Sequence, residues 1–174
     1  GSALAVNWAD EHIPAILQGW YPGAQGGRAI AEILFGERCP EGKLPVTFYR
    51  SHEELPDFAD YSMKGRTYRY MAGEALYPFG YGLSYTDFAY GEVKADAEKI
   101  GDNGVTLRVK VKNTGSMAGG ETVQAYVKID REGTPNAQLK GVCKLHLAPG
   151  EEKEAVIHLP AEAFGLYDEE ETTV

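Results

Sequence analysis

From Phe88 onward, apolar and polar residues alternate with a period of two. In VTLRVKVKN, Val105, Leu107, Val109 and Val111 fall on one side and Thr106, Arg108, Lys110 and Lys112 on the other. That is the signature of a strand with one face buried. ETVQAYVKI alternates at Val123, Ala125, Val127 and Ile129, QLKGVCKLHL at Leu139, Gly141, Cys143, Leu145 and Leu147, and EAVIHL at Ala155, Ile157 and Leu159. Turn-forming NTGSMAGG, REGTPNA and APGEE separate them. With FAYGEVK these segments predict an antiparallel β-sandwich of immunoglobulin or fibronectin type III kind. A seven-stranded sandwich needs two strands more, and the closing YDEEETTV carries no strand pattern, so the sandwich is expected to be incomplete.

The first half follows another rhythm. IPAILQGWYPG is a short apolar run closed by Pro22 and Gly23, which predicts a buried strand, although run length alone leaves a helix open. AQGGRAIAEILFG sets Ile30, Ile33 and Leu34 on one helical face and ends at Gly36, suited to the left-handed position past a helix end. These residues are expected to pack inward with Ile16 and Leu17. Strand, glycine turn and helix make half of a βαβ unit, which is not a stable domain alone, and read as the tail of a larger α/β domain. The stretch from Arg38 to Tyr85 has prolines, glycines and no sustained period, as in a functional loop or a strap between domains.

Composition narrows the function classes. The net charge of −9 is spread over both halves without a basic face, which makes nucleic acid and anionic membranes poor partners. No apolar run approaches the roughly 20 residues that span a bilayer, and no export signal opens the chain. The two cysteines, Cys39 and Cys143, lack the spacing of a disulfide framework or a zinc site and read as small hydrophobes.

GSALAVNWADEHIPAILQGWYPGAQGGRAIAEILFGERCPEGKLPVTF, then GRTYRY, LYPFGYGLSYTDFAY, VKNTGSMAGGETVQAYV and LKGVCKLHLAPGEEKEAVIHL, in that order, resemble the carboxyl-terminal part of family 3 glycoside hydrolases. The resemblance implies that residues 1–50 are the terminal strand and helix of an α/β sandwich domain, residues 51–87 an inter-domain strap, and residues 88–174 most of a fibronectin type III-like domain. It further implies a parent enzyme that cleaves β-linked glucosides or xylosides with retention. The implied partners are the parent's barrel and α/β domain, and through them a β-linked oligosaccharide. The family's nucleophile is an aspartate on the barrel, and its acid/base carboxylate is expected before residue 1. No catalytic, cofactor-binding or metal-binding residue is therefore assigned to this chain, and no cofactor is implied.

Several groups invite a sharper reading. Glu53, Glu54, Asp57 and Asp60 suggest a carboxylate pair but read as a solvated acidic loop. Arg66, Tyr68, Arg69 and Tyr70 have the chemistry of a sugar pocket, yet a structural tie from guanidinium to neighbouring carbonyls or carboxylates is favoured. His12 has acidic neighbours and no nucleophile in a recognisable motif; His52, His146 and His158 lack metal-ligand spacing, and the last two fall on outward strand positions. GAQGGR lacks the spacing of a phosphate loop. Tyr77, Phe79, Tyr81, Tyr85, Phe88 and Tyr90 read as the seal of a domain junction in preference to a sugar platform, with Gly80 and Gly82 supplying bends. The alternative to an enzyme segment is a stand-alone β-sandwich module binding carbohydrate or protein. Against it, the predicted strands carry few outward aromatics.

Overall fold

The computed structural model describes residues 2–166, which fall into two units that divide between Leu83 and Ser84. The described residues of the first unit contain three short α-helices, α1 (Asn7–His12), α2 (Gly26–Leu34) and α3 (Thr67–Tyr70), and one 3-10 turn at His52–Glu54, joined by irregular chain. Helix α2 starts where a side chain has no room, since a Cβ at Gly26 would lie 2.2 Å from Pro22 Cβ. It closes through Gly36 at φ +73, with the Gly36 N–H donating to Ile33 O at 3.0 Å and the Glu37 N–H to Glu32 O at 2.8 Å.

Two expectations for this unit fail. Ile13–Leu17 is not a strand, and Ile13, Ile16 and Leu17 remain exposed. A strand exists only in a ladder, and no described residue offers this segment an edge. On α2, Ile30 and Ile33 are half-buried while Leu34 is 67% exposed. The core lies instead around Phe48, Thr47, Cys39 and Leu76. Residues 44–48 return antiparallel to 76–81: Leu44 N–H donates to Tyr81 O (2.7 Å), Gly80 N–H to Leu44 O (2.7 Å) and Phe48 N–H to Tyr77 O (2.9 Å). The chain predicted as an irregular strap thus closes on the segment before it. Gly82 approaches so closely that a Cβ there would lie 2.2 Å from Gly42 O.

The second unit carries β1 (Phe88–Tyr90), β2 (Lys94–Ala95), β3 (Val105–Asn113), β4 (Gly119–Val127), β5 (Gln138–Leu147) and β6 (Glu152–Leu159). One antiparallel sheet holds β3 between β6 and an edge made of β1 and β2; β4 and β5 form the other. The predicted FAYGEVK strand is one edge strand broken by a bulge. Tyr90 opposes Val111 but Lys94 opposes Arg108, so one extra residue enters on the edge side. Val105, Val109 and Val111 of β3, Val123, Ala125 and Val127 of β4, and Ala155, Ile157 and Leu159 of β6 make one buried core. These are the inward positions read from the alternation. Leu139 is the exception, because the register shifts after Ala125. It stands opposite Tyr126 on the outer side, whereas Gly141, Cys143, Leu145 and Leu147 keep the predicted phase. Among the described residues the architecture is a mostly β, incomplete sandwich preceded by short helices.

Candidate functional site

Six aromatic residues of the first unit are turned against one another. Trp20 meets Phe48 edge-on at 6.0 Å, Phe48 meets Tyr77 at 6.2 Å, and Tyr77 stacks on Tyr81 at 5.5 Å. Phe79 stacks on Tyr68 of α3 at 4.2 Å. Offset and edge-on pairs of this kind each add about 0.5–1.5 kcal/mol beyond burial. Trp20 holds a φ of +51, an uncommon conformation for a bulky residue that nothing in its local sequence announces. The Tyr77 hydroxyl donates to Asp10 Oδ1 at 2.5 Å, which, with partial burial, pushes its pKa up to about 12. It stays a neutral donor that ties α1 to the aromatic row. In the second unit, Phe88 packs against the sandwich core and Tyr90 donates to Glu121 Oε1 at 2.7 Å. Burial first and then that carboxylate raise the Tyr90 pKa.

Three carboxylates of the acidic loop, those of Glu54, Asp57 and Asp60, accept local backbone bonds. Asp57 Oδ1 accepts the Ala59 N–H and Asp60 Oδ1 the Ser62 N–H, each at 2.8 Å, and Glu54 Oε2 accepts the Arg50 N–H at 3.2 Å. The bonds from Ser62 hold the Asp60 carboxyl below its usual range, the opposite of what a proton donor requires. Arg66 Nη2 donates to the carbonyls of Asp57 and Asp60, the structural tie read from the sequence. The rest of GRTYRY is held by its backbone: Thr67 N–H donates to the Tyr49 hydroxyl at 2.6 Å and Tyr68 N–H to Thr47 Oγ1 at 3.0 Å.

His12 Nδ1 lies 2.8 Å from Trp8 O and its ring stacks on Trp8, so Nδ1 carries the proton it gives to that carbonyl. His146 and His158 are exposed on outward strand positions, as predicted. Among the described residues, no group of three His, Cys, Asp or Glu side chains has metal-binding geometry, and no helix is long and apolar enough to cross a membrane. Cys39 is buried and Cys143 half-buried, both unbridged.

The outer face of β3 and β6 carries ion pairs, Arg108–Glu154 and Lys110–Glu152, both at 3.0 Å. A charged surface of this kind does not offer the aromatic stacking face of a glycan-binding sandwich. A groove of about 550 Å3 in the second unit is lined by Val105, Leu107, Val127, Ile129, Leu159 and Phe164 among others. It has the apolar character of the core it adjoins. The sequence reading did not single out Asn113, a fully buried side chain at the end of β3. The available signal was a polar residue at an inward position of an otherwise apolar alternation.

Comparison with known proteins supplies the context for this geometry. Residues 1–85 match the family described as glycosyl hydrolase family 3 C-terminal domain, and residues 121–174 match the fibronectin type III-like domain. The chain is 46% identical to a xylan 1,4-beta-xylosidase of Xylanibacter ruminicola, over 100% of this chain and 20% of that protein. It is 37% identical to beta-glucosidase BoGH3A of Bacteroides ovatus, over 99% of this chain and 26% of that protein. A solved β-glucosidase structure from Erythrobacter marinus superposes with a TM-score of 0.85 at 40% identity, over 100% of this chain and 24% of that one. The chain therefore spans about a fifth to a quarter of the length of these relatives.

Proposed function

From the premise that this chain belongs to the carboxyl-terminal region of the family 3 glycosyl hydrolases, we propose that it is the non-catalytic end of a retaining β-glycosidase, a β-glucosidase or β-xylosidase. Its work is packing and stability, and the chemistry belongs to the rest of the enzyme. The observation that carries this reading is the use made of the residues with catalytic potential. Asp57, Asp60 and Glu54 accept backbone amides, and Arg66 clasps carbonyls. Retaining hydrolysis needs two carboxyl groups about 5 Å apart across a bound sugar, one a nucleophile and the other a proton donor. The barrel and the α/β domain of the parent would supply them, and the substrate would be a β-linked oligosaccharide.

The test compares the 174-residue chain with the full-length enzyme on aryl β-glucosides and aryl β-xylosides. The full-length protein is expected to turn over at least one with retained anomeric configuration, and this chain neither. Turnover by the chain alone that disappears in Glu53→Gln, Glu54→Gln or Asp57→Asn would overturn the assignment.

A further inference from the structure

Among the described residues, the two most exposed large hydrophobic side chains stand three positions apart on one loop, Phe58 at 95% and Tyr61 at 89%. The loop is built to hold them there. Asp57 Oδ1 accepts the Ala59 N–H and Asp60 Oδ1 the Ser62 N–H at 2.8 Å, the Asp60 N–H donates to Asp57 O at 3.0 Å, and Arg66 Nη2 binds the carbonyls of both aspartates. A pre-organised loop binds at a lower entropic cost than a mobile one. A phenylalanine ring so fully in water gains nothing from that order unless something covers it.

We propose that Phe58 and Tyr61 form a plug that docks into an apolar recess elsewhere in the same full-length polypeptide. Three observations select this occupant. Rings this exposed form a knob, whereas small-molecule and sugar sites are concave. Residues 51–62 carry Glu53, Glu54, Asp57 and Asp60 and no lysine or arginine, a charge that a recess with a basic rim would complement. Relatives align over 98–100% of this chain while it accounts for only 20–26% of their length, so most of a family member lies outside it and is tethered to it. Two rings of roughly 150–250 Å2 each make a substantial share of an inter-domain contact of about 600–1,500 Å2. The inference rests on the chain being one segment of a family 3 enzyme.

The experiment uses the full-length enzyme carrying Phe58→Ala with Tyr61→Ala, each single substitution, and the apolar pair Phe58→Leu with Tyr61→Phe. Limited proteolysis under native conditions reports undocking, and KM for an aryl β-xyloside and a β-linked tetrasaccharide reports substrate contact. The double alanine variant is expected to be cleaved on the order of tenfold faster, with both KM values within about twofold, and the apolar pair to restore resistance. Each single variant is expected to show a smaller acceleration, a readout that holds should the double variant fail to fold. Unchanged proteolysis would overturn the plug. So would a raised tetrasaccharide KM without faster cleavage, which would make the rings a glycan platform. The proteolysis arm does not depend on catalysis, so an inactive parent would refute the glycosidase reading and leave docking separately tested.

Discussion

Replacing Asn113 by Ala removes a side chain that is 0% exposed and bonded at every polar position. Its Oδ1 accepts from Thr86 Oγ1 at 2.7 Å and Gly115 N–H at 3.0 Å, and its Nδ2 donates to Met117 O at 2.8 Å and Leu147 O at 3.1 Å. The bonds to Thr86 and Leu147 are buried; those to Gly115 and Met117 are only partly so, and water can replace them. Two buried polar partners left unsatisfied cost about 1–3 kcal/mol each, giving about 2–6 kcal/mol in all. That is a large fraction of the roughly 5–15 kcal/mol that holds a domain folded. Urea unfolding of the 174-residue chain, followed by circular dichroism, should show the midpoint falling with an unchanged m value. Asn113→Asp gives a sharper readout, because two carbonyls and burial disfavour its carboxylate and raise its folded pKa above the unfolded value of about 3.9. Its stability should be highest below that value and fall as pH rises through the raised folded pKa. A loss under about 0.5 kcal/mol for Asn113→Ala, or an aspartate variant that gains stability as pH rises, would refute the reasoning.

Gly141→Ala would set a Cβ 2.4 Å from Ile157 Cγ2 and 2.9 Å from Leu159 Cδ2, an overpacking expected to cost about 1–3 kcal/mol. In denaturant titrations, Gly141→Ala with Ile157→Ala should cost less than the sum of the single changes, and strict additivity would contradict the contact. Tyr77, whose pKa rises from 10.0 to about 12, contributes stability that is complete below pH 10 and is lost as pH climbs toward 12. Tyr77→Phe should lack that part of the alkaline decline in melting temperature, and a phenolate titrating at the ordinary value would dismiss the Asp10 bond.

The strand content and the inward positions of the sandwich were legible because period-two alternation reports which side of a strand meets the core. Val109, Val111, Ile157 and Leu159 are buried where the pattern put them. The end of α2 was equally legible, since Gly36 meets a backbone need that few other residues meet. Local chemistry also foretold the tie made by Arg66. The bulge that splits β1 from β2, and the register shift that turns Leu139 toward Tyr126, were not legible. They arise from how two ladders fit, and either strand read alone keeps its alternation. The same limit explains Ile13–Leu17, whose apolar run says that something covers it but not whether a neighbouring edge is present. Hydrophobicity along the chain thus determined which residues seek burial, while only the tertiary structure decided which find a partner, because pairing depends on groups far apart in sequence.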